Sequence, residues 1–143
     1  MLQIPLPRPS LSVVGIALVA LFTMGDPRSA PLLDEQTEQL FVNAVEAAFE
    51  IDLFYNRCRG DRSGRRTENL NKELASRYRM TIIDVKDDLF PEGNYRDAES
   101  RMQRDFLERL RAMGGCAGAK VDRLRDDLRE RYHAAMAEIA AKI

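Results

Sequence analysis

The segment from Leu33 to Cys58 constrains the fold of this chain most, because apolar residues recur along it with the period of an α-helix. One face of the predicted helix carries Leu33, Leu40, Phe41, Ala44, Ala48, Ile51, Tyr55 and Cys58. A neighbouring face carries Val42, Val45, Phe49 and Leu53. A helix that is apolar over so much of its circumference needs cover on two sides, from its own domain or from another molecule.

Three more amphipathic helices follow, so that the predicted helices cover about residues 34–58, 67–90, 94–113 and 118–142. The inner stripes of the last three are Leu70, Leu74, Tyr78, Ile82, Val85 and Leu89, then Tyr95, Ala98, Met102, Phe106, Leu110 and Met113, and finally Val121, Leu124, Leu128, Tyr132, Ala135 and Ile139. Thr67 is predicted to cap the second helix. Thr81 with Asp84 has the form of a capping box, which predicts a break or restart of that helix near Met80.

The fold class predicted from these helices is all-α, an up-down-up-down four-helix bundle stapled by one disulfide. The chain has two cysteines, Cys58 and Cys116, which follow the first and the third helix. In this topology both cysteines lie at the same end of the bundle, so a disulfide between them requires no distortion of the fold.

The first residues have the layout of a secretory signal peptide, with Arg8, an uncharged run from Leu11 to Phe22 and then small residues. A cut after Gly25 divides the chain into a signal peptide at 1–25, a linker at 26–33 and a helical domain at 34–143. This predicts a periplasmic or secreted protein, in a compartment where the two cysteines form a disulfide. The alternative is an uncleaved anchor over residues 11–24, which would hold the domain at the inner membrane as a small subunit of a larger complex.

The second apolar row of the first helix, Val42, Val45, Phe49 and Leu53, is the candidate partner surface. It predicts an interaction with another protein, including a second copy of this chain in a homodimer. The alternative is that both apolar faces of the helix are packed within its own domain.

Cationic side chains gather at the disulfide end of the predicted bundle and form a candidate basic end, which consists of Arg57, Arg59, Arg62, Arg65, Arg66, Arg109, Arg111, Lys120 and Arg123. The opposite end is predicted to be acidic, with Asp34, Glu35, Glu38, Asp84, Asp87, Asp88 and Glu92. The basic end fits an anionic membrane surface or an acidic partner. The alternative is that its arginines neutralise the carbonyl ends of two helices. The formal net charge of −1 predicts no nucleic-acid partner.

One pattern has the spacing of a metal ligand pair, Glu130-x-x-His133 in the fourth helix, which is half of the ligand set of di-iron four-helix proteins. His133 is the only histidine in the chain, and the helical period places it away from the inner stripe. A lone histidine and two oxidised cysteines also provide no base beside a nucleophile. The sequence therefore predicts no metal site, no cofactor and no catalytic group.

Two resemblances bear on function. The segment from Arg129 to Met136, RERYHAAM, resembles the histidine-bearing last helix of the b562-type cytochromes, which implies a haem site at Glu130 and His133. In that family a methionine near the start of the first helix is the other axial ligand, and this chain has none there. In its layout of helices and cysteines the chain is similar to small disulfide-stapled accessory proteins such as secretion-system pilotins, which implies an accessory role.

These patterns together predict a secreted or periplasmic helical-bundle protein that is not an enzyme. It is expected to bind a protein partner or a membrane surface in an accessory, adaptor or chaperone-like role. The alternatives are a haem- or metal-binding four-helix bundle and a membrane-anchored small subunit.

Overall fold

The computed structural model describes residues 33–142, which form six α-helices and no strand. These are α1 (Glu35–Arg59), α2 (Arg65–Tyr78), α3 (Ile82–Asp88), α4 (Tyr95–Ala112), α5 (Gly115–Val121) and α6 (Leu124–Ala141). The prediction of an all-α fold is confirmed for this part of the chain. The predicted signal peptide, its cleavage site and the candidate anchor lie outside the described residues.

Helix α1 is the centre of the fold, because α2, α3, α4 and α6 all pack against it. It begins after Asp34, whose carboxylate accepts hydrogen bonds from the backbone N–H of Thr37 at 2.9 Å and from its hydroxyl at 2.8 Å. It ends at Gly60, whose left-handed conformation is one that glycine adopts without steric cost. Between these caps, α1 buries Leu40, Phe41, Ala44, Val45, Ala47, Ala48, Ile51 and Phe54.

The helix predicted over residues 67–90 is two helices in the structure, α2 and α3. Helix α2 ends at Tyr78, after which Arg79 is left-handed with a φ of 55°. Thr81 and Asp84 form a capping box at the start of α3. The β-branched residues at 81–83 weaken the helix at this point, and the capping box gives a second helix its own start.

The helix predicted over residues 118–142 is also two helices, α5 and α6. They are separated at Asp122 and Arg123, and Arg123 is left-handed with a φ of 58°. The inward position predicted for Val121 is wrong, since this side chain is 81% exposed. The reason is the break after α5: that short helix turns Ala119 toward the core, and its register does not continue into α6.

The disulfide joins Cys58 near the end of α1 to Cys116 in the first turn of α5, with the two Cα atoms 5.5 Å apart. The predicted pairing is therefore present. It indicates an oxidising, non-cytoplasmic compartment, since disulfides persist there and are rare in the reducing cytosol. Among the helices of residues 33–142, none combines the length and the apolar character that crossing a membrane requires.

Candidate binding surfaces

An apolar groove of about 490 Å³ lies along α1, between α2 and α3. Its floor is formed by Phe49 and Leu53 of α1, and its apolar wall by Ile82 and Ile83 of α3. Ile83 is a large apolar residue that is 50% exposed. The volume falls within the range of roughly 300–1,000 Å³ that is typical of ligand sites in proteins.

The groove exists because α3 is too short to cover the second apolar face of α1. At about 1.5 Å per residue, the seven residues of α3 span only about 10 Å. The backbone N–H of Ile82 donates to Asn71 Oδ1 at 2.9 Å, which holds the start of α3 against α2. The remaining part of the face, toward Leu53, stays open between the helices.

The four residues of the candidate partner surface differ in how far they are exposed. Val45 is only 1% exposed and belongs to the core of the domain. Val42, Phe49 and Leu53 are half-buried and pack against that core. Of these, Phe49 and Leu53 also line the groove, so the second face of α1 is partly core and partly accessible.

A buried lysine of α3 lines the groove. The side chain of Lys86 is 2% exposed, and its ammonium group donates to Glu99 Oε1 of α4. The same ammonium lies 5.3 Å from the centre of the Phe49 ring. Lys86 is not among the predicted site residues, although it stands four residues after the buried Ile82 and therefore on the same face of α3.

Asp52 of α1 caps α2 from outside, at one end of the groove. Its carboxylate accepts hydrogen bonds from the backbone N–H groups of Arg66 at 3.3 Å and Thr67 at 2.8 Å. The prediction that Thr67 caps this helix is therefore wrong, since α2 begins after Gly64, and no side chain at that position provides a cap. The local sequence does not indicate this contact, because Arg66 and Thr67 lie 14 and 15 residues after Asp52.

Two arginines of the candidate basic end are half-buried and pair with carboxylates of helix α1. Arg66 lies 3.6 Å from carboxylate oxygens of Asp52 and Asp61, and its guanidinium stacks 3.9 Å from the centre of the Tyr55 ring. Arg109 contacts Glu50 at 2.9 Å. These contacts orient Arg66 and Arg109 toward their own domain.

The other basic-end residues are exposed, and several of them surround the disulfide. Arg59, Lys120 and Arg123 line a cavity of about 240 Å³ on one side of it. Arg57 and Arg111 line another cavity, of about 370 Å³, and Cys116 contributes to both. Arg62 and Arg65 are exposed in the loop after α1 and at the start of α2. The cationic surface is therefore concentrated around the disulfide.

Cationic residues also lie at the opposite end of the domain, because α2 and α6 end there. The Tyr78 hydroxyl at the end of α2 donates to the carbonyl of Ile139 in α6 at 3.1 Å. Lys142 donates to the Thr37 hydroxyl in the first turn of α1 at 2.8 Å. Arg77 and Arg79, next to Tyr78, therefore lie at the end where the acidic first turn of α1 is located.

Glu130 and His133 are both exposed on α6. His133 lines a cavity with Arg65, Arg66 and Arg129, and these cationic neighbours disfavour a metal cation. Within residues 33–142, no three His, Cys, Asp or Glu side chains are grouped so that they could hold a metal ion.

Comparisons of the chain with protein-family models, with curated proteins and with solved structures gave no match.

Proposed function

We propose that this chain is a secreted or periplasmic, non-enzymatic domain that binds a protein partner in the groove. The observation that carries the proposal is the half-exposed Ile83, which lines the groove together with Phe49 and Leu53. An apolar surface that the domain leaves open favours an interaction site, because its burial by a partner is favourable by about 25 cal/mol per Å².

Two observations support a binding role over catalysis. The buried ammonium of Lys86 is paired with Glu99, and the partly buried carboxylate of Asp52 caps α2. Both groups therefore have structural partners. Catalytic acids and bases are instead expected to lie within hydrogen-bonding reach of a bound substrate.

The proposal includes an up-down-up-down arrangement of the four longest helices, α1, α2, α4 and α6, with α3 and α5 as short connectors. Contacts of α1 with the three other long helices support it. Thr37 meets Lys142 just beyond α6, Asp52 meets Thr67 of α2, and Glu50 meets Arg109 of α4. In this arrangement α1 and α4 run in one direction and α2 and α6 in the other.

The test compares two exposed apolar residues of the same domain. Proteins captured from the extracytoplasmic extract of the host by the wild type, by Ile83→Glu and by Val121→Glu are quantified by mass spectrometry, and each candidate is then titrated in purified form. We expect the specific partner to be lost with Ile83→Glu and kept with Val121→Glu. A partner that binds all three proteins equally contradicts the proposal. A homodimer through the groove would appear in light scattering as a dimer that only Ile83→Glu converts to a folded monomer.

A second candidate function is docking on an anionic membrane surface by the basic end. Val121 is 81% exposed, and it follows the exposed Lys120 and precedes the exposed Asp122 and Arg123. An exposed apolar residue with cationic residues nearby fits the interface of an anionic bilayer. Flotation with vesicles containing phosphatidylglycerol tests it, since binding should be lost in a variant with Lys120→Glu and Arg123→Glu.

The compartment and the cofactor have direct tests of their own. N-terminal sequencing of the protein from its host should find residue 26 at the terminus, whereas an intact Met1 would favour the anchored-subunit hypothesis. An absorption spectrum with a Soret band, or stoichiometric bound metal, would instead favour the haem- or metal-binding alternative at Glu130 and His133.

A further inference from the structure

We infer that the occupant of the groove is an amphipathic helix with cationic residues beside its apolar stripe. This inference rests on the proposed function, because it specifies the chemistry of the partner at the same site. Three observations support it: the spacing of the apolar side chains, the hydrogen bonding of the backbone around them and the charge of the residues at the rim.

The spacing of the floor residues fits one turn of a partner helix. Phe49 and Leu53 are four residues apart in α1, so they are separated by about 6 Å along the helix axis. Side chains at positions i and i+4 of a partner helix have the same separation along its axis, and amphipathic helices bind grooves through such anchors. Ile83 lies beside these two residues and extends the apolar contact.

The backbone around the groove favours a helical occupant over an extended one. The groove is lined mainly by residues of α1, α2 and α3, whose backbone groups are engaged in helical hydrogen bonds. An extended segment gains main-chain hydrogen bonds only from a free sheet edge, and residues 33–142 contain no strand. A segment that enters this apolar groove must therefore satisfy its own backbone groups, which a helix does.

The rim of the groove is negatively charged. Glu68 of α2 is exposed at one side, Glu99 of α4 lies at another, and Asp52 of α1 contributes a third carboxylate to the lining. Among the described residues that line the groove, Lys86 is the only cationic one, and it is buried and paired with Glu99. A cationic flank on the partner would therefore meet complementary charge, whereas an acidic flank would be repelled.

Glu68 is already paired with Lys72, but that pair is weak enough to exchange. The two charged atoms are 2.9 Å apart, and both side chains are mostly exposed. Exposed pairs of this kind contribute little to stability, because water and salt screen the two charges. A lysine or arginine of the partner can therefore replace Lys72 at Glu68 at little cost.

The experiment is a selection from a display library of random 16-residue peptides on the immobilised wild-type protein, with Ile83→Glu as counter-selection. We expect enriched sequences with apolar residues at i, i+3 or i+4 and i+7 and with an excess of lysine and arginine. The affinity of the best synthetic peptide should fall about fivefold with Glu68→Lys, and this loss should shrink at high salt. Val121→Glu is the matched control and should bind this peptide like the wild type.

Three outcomes would overturn the inference, and they separate it from the proposed function. If the enriched peptides are helical and still require Ile83 but are acidic or uncharged, the inferred cationic character of the partner is wrong. The groove then remains a binding site. Enriched peptides that lack helical periodicity overturn the helical occupant. An absence of any Ile83-dependent enrichment contradicts both the inference and the proposed function.

Discussion

The ammonium group of Lys86 lies 5.3 Å from the centre of the Phe49 ring and is paired with Glu99. This arrangement joins three helices, because Lys86 belongs to α3, Phe49 to α1 and Glu99 to α4. It holds α3 in the position that leaves the groove open between α3 and α2. The stability of α3 and the shape of the groove therefore depend on the same contact.

Removal of Glu99 as a charge partner should destabilise the domain more than removal of Lys86. Glu99→Gln leaves a buried ammonium without its counter-charge, and we expect the free energy of unfolding to fall by about 2 kcal/mol. Lys86→Met keeps the apolar stem and removes the charge, so it should be neutral or stabilising by about 1 kcal/mol. Urea denaturation of both variants and of the double variant measures these changes in the free energy of unfolding. A Lys86→Met variant that loses more stability than Glu99→Gln would contradict the role given to the pair.

Asp52 should matter more for stability than Thr67, although Thr67 has the residue type of a helix cap. Asp52→Ala removes the acceptor for two backbone N–H groups of α2, at Arg66 and Thr67, so we expect a loss of about 1–2 kcal/mol. Thr67→Ala keeps these bonds and should cost about 0.5 kcal/mol or less. Chemical denaturation checks the ranking, and equal losses would mean that Asp52 is not the cap of α2.

The disulfide should supply a large share of the stability of the domain. Cys58 and Cys116 are 58 residues apart, so the loss of the cross-link in a variant with both changed to serine should cost about 4 kcal/mol. Helix α5 should be the helix that loses most of its local stability when the disulfide is removed, since Ala119 is its only buried residue. We expect amide hydrogen exchange to rise most over residues 115–121. An unchanged denaturation midpoint would contradict this prediction.

The capping box of α3 should make stability depend on pH in the acid range. Hydrogen bonds from the backbone N–H and hydroxyl of Thr81 lower the pKa of Asp84 below its ordinary value of 3.8. The stabilising effect is therefore complete above that value, and it is lost as the pH falls through the lower pKa of the folded state. The difference in free energy of unfolding between the wild type and Asp84→Asn should be constant from about pH 7 to pH 5 and should shrink below about pH 4. Asp88→Asn, at the end of the same helix and outside the capping box, is the matched control.

Periodicity predicts the elements of this fold that bury a regular apolar stripe. Leu40, Phe41 and Ala44 in α1, like Leu70 and Leu74 in α2, are buried as their spacing indicates. The capping-box pattern at Thr81 also corresponds to a real helix start. These features depend on residues close together in the chain, so they can be recognised in the sequence.

Features that depend on single conformations or distant contacts could not be predicted in this way. Arg123 interrupts the fourth predicted helix in a left-handed conformation, which arginine seldom adopts and no residue pattern indicates. Asp52 reaches α2 across the fold, so its capping role is absent from the local sequence. The groove depends on the length and position of α3, whereas its floor residues Phe49 and Leu53 belong to a surface that the sequence does predict.

The most direct test of the central claim is a nuclear magnetic resonance titration of the isotope-labelled domain with its purified partner, or with the best peptide of the library. If the groove is the binding site, amide shifts should change around Phe49, Leu53 and Ile83 and stay constant around Lys120 and Val121. The same titration of Ile83→Glu should give no changes. Shift changes confined to the disulfide end would contradict the account and would place the interaction at the basic end.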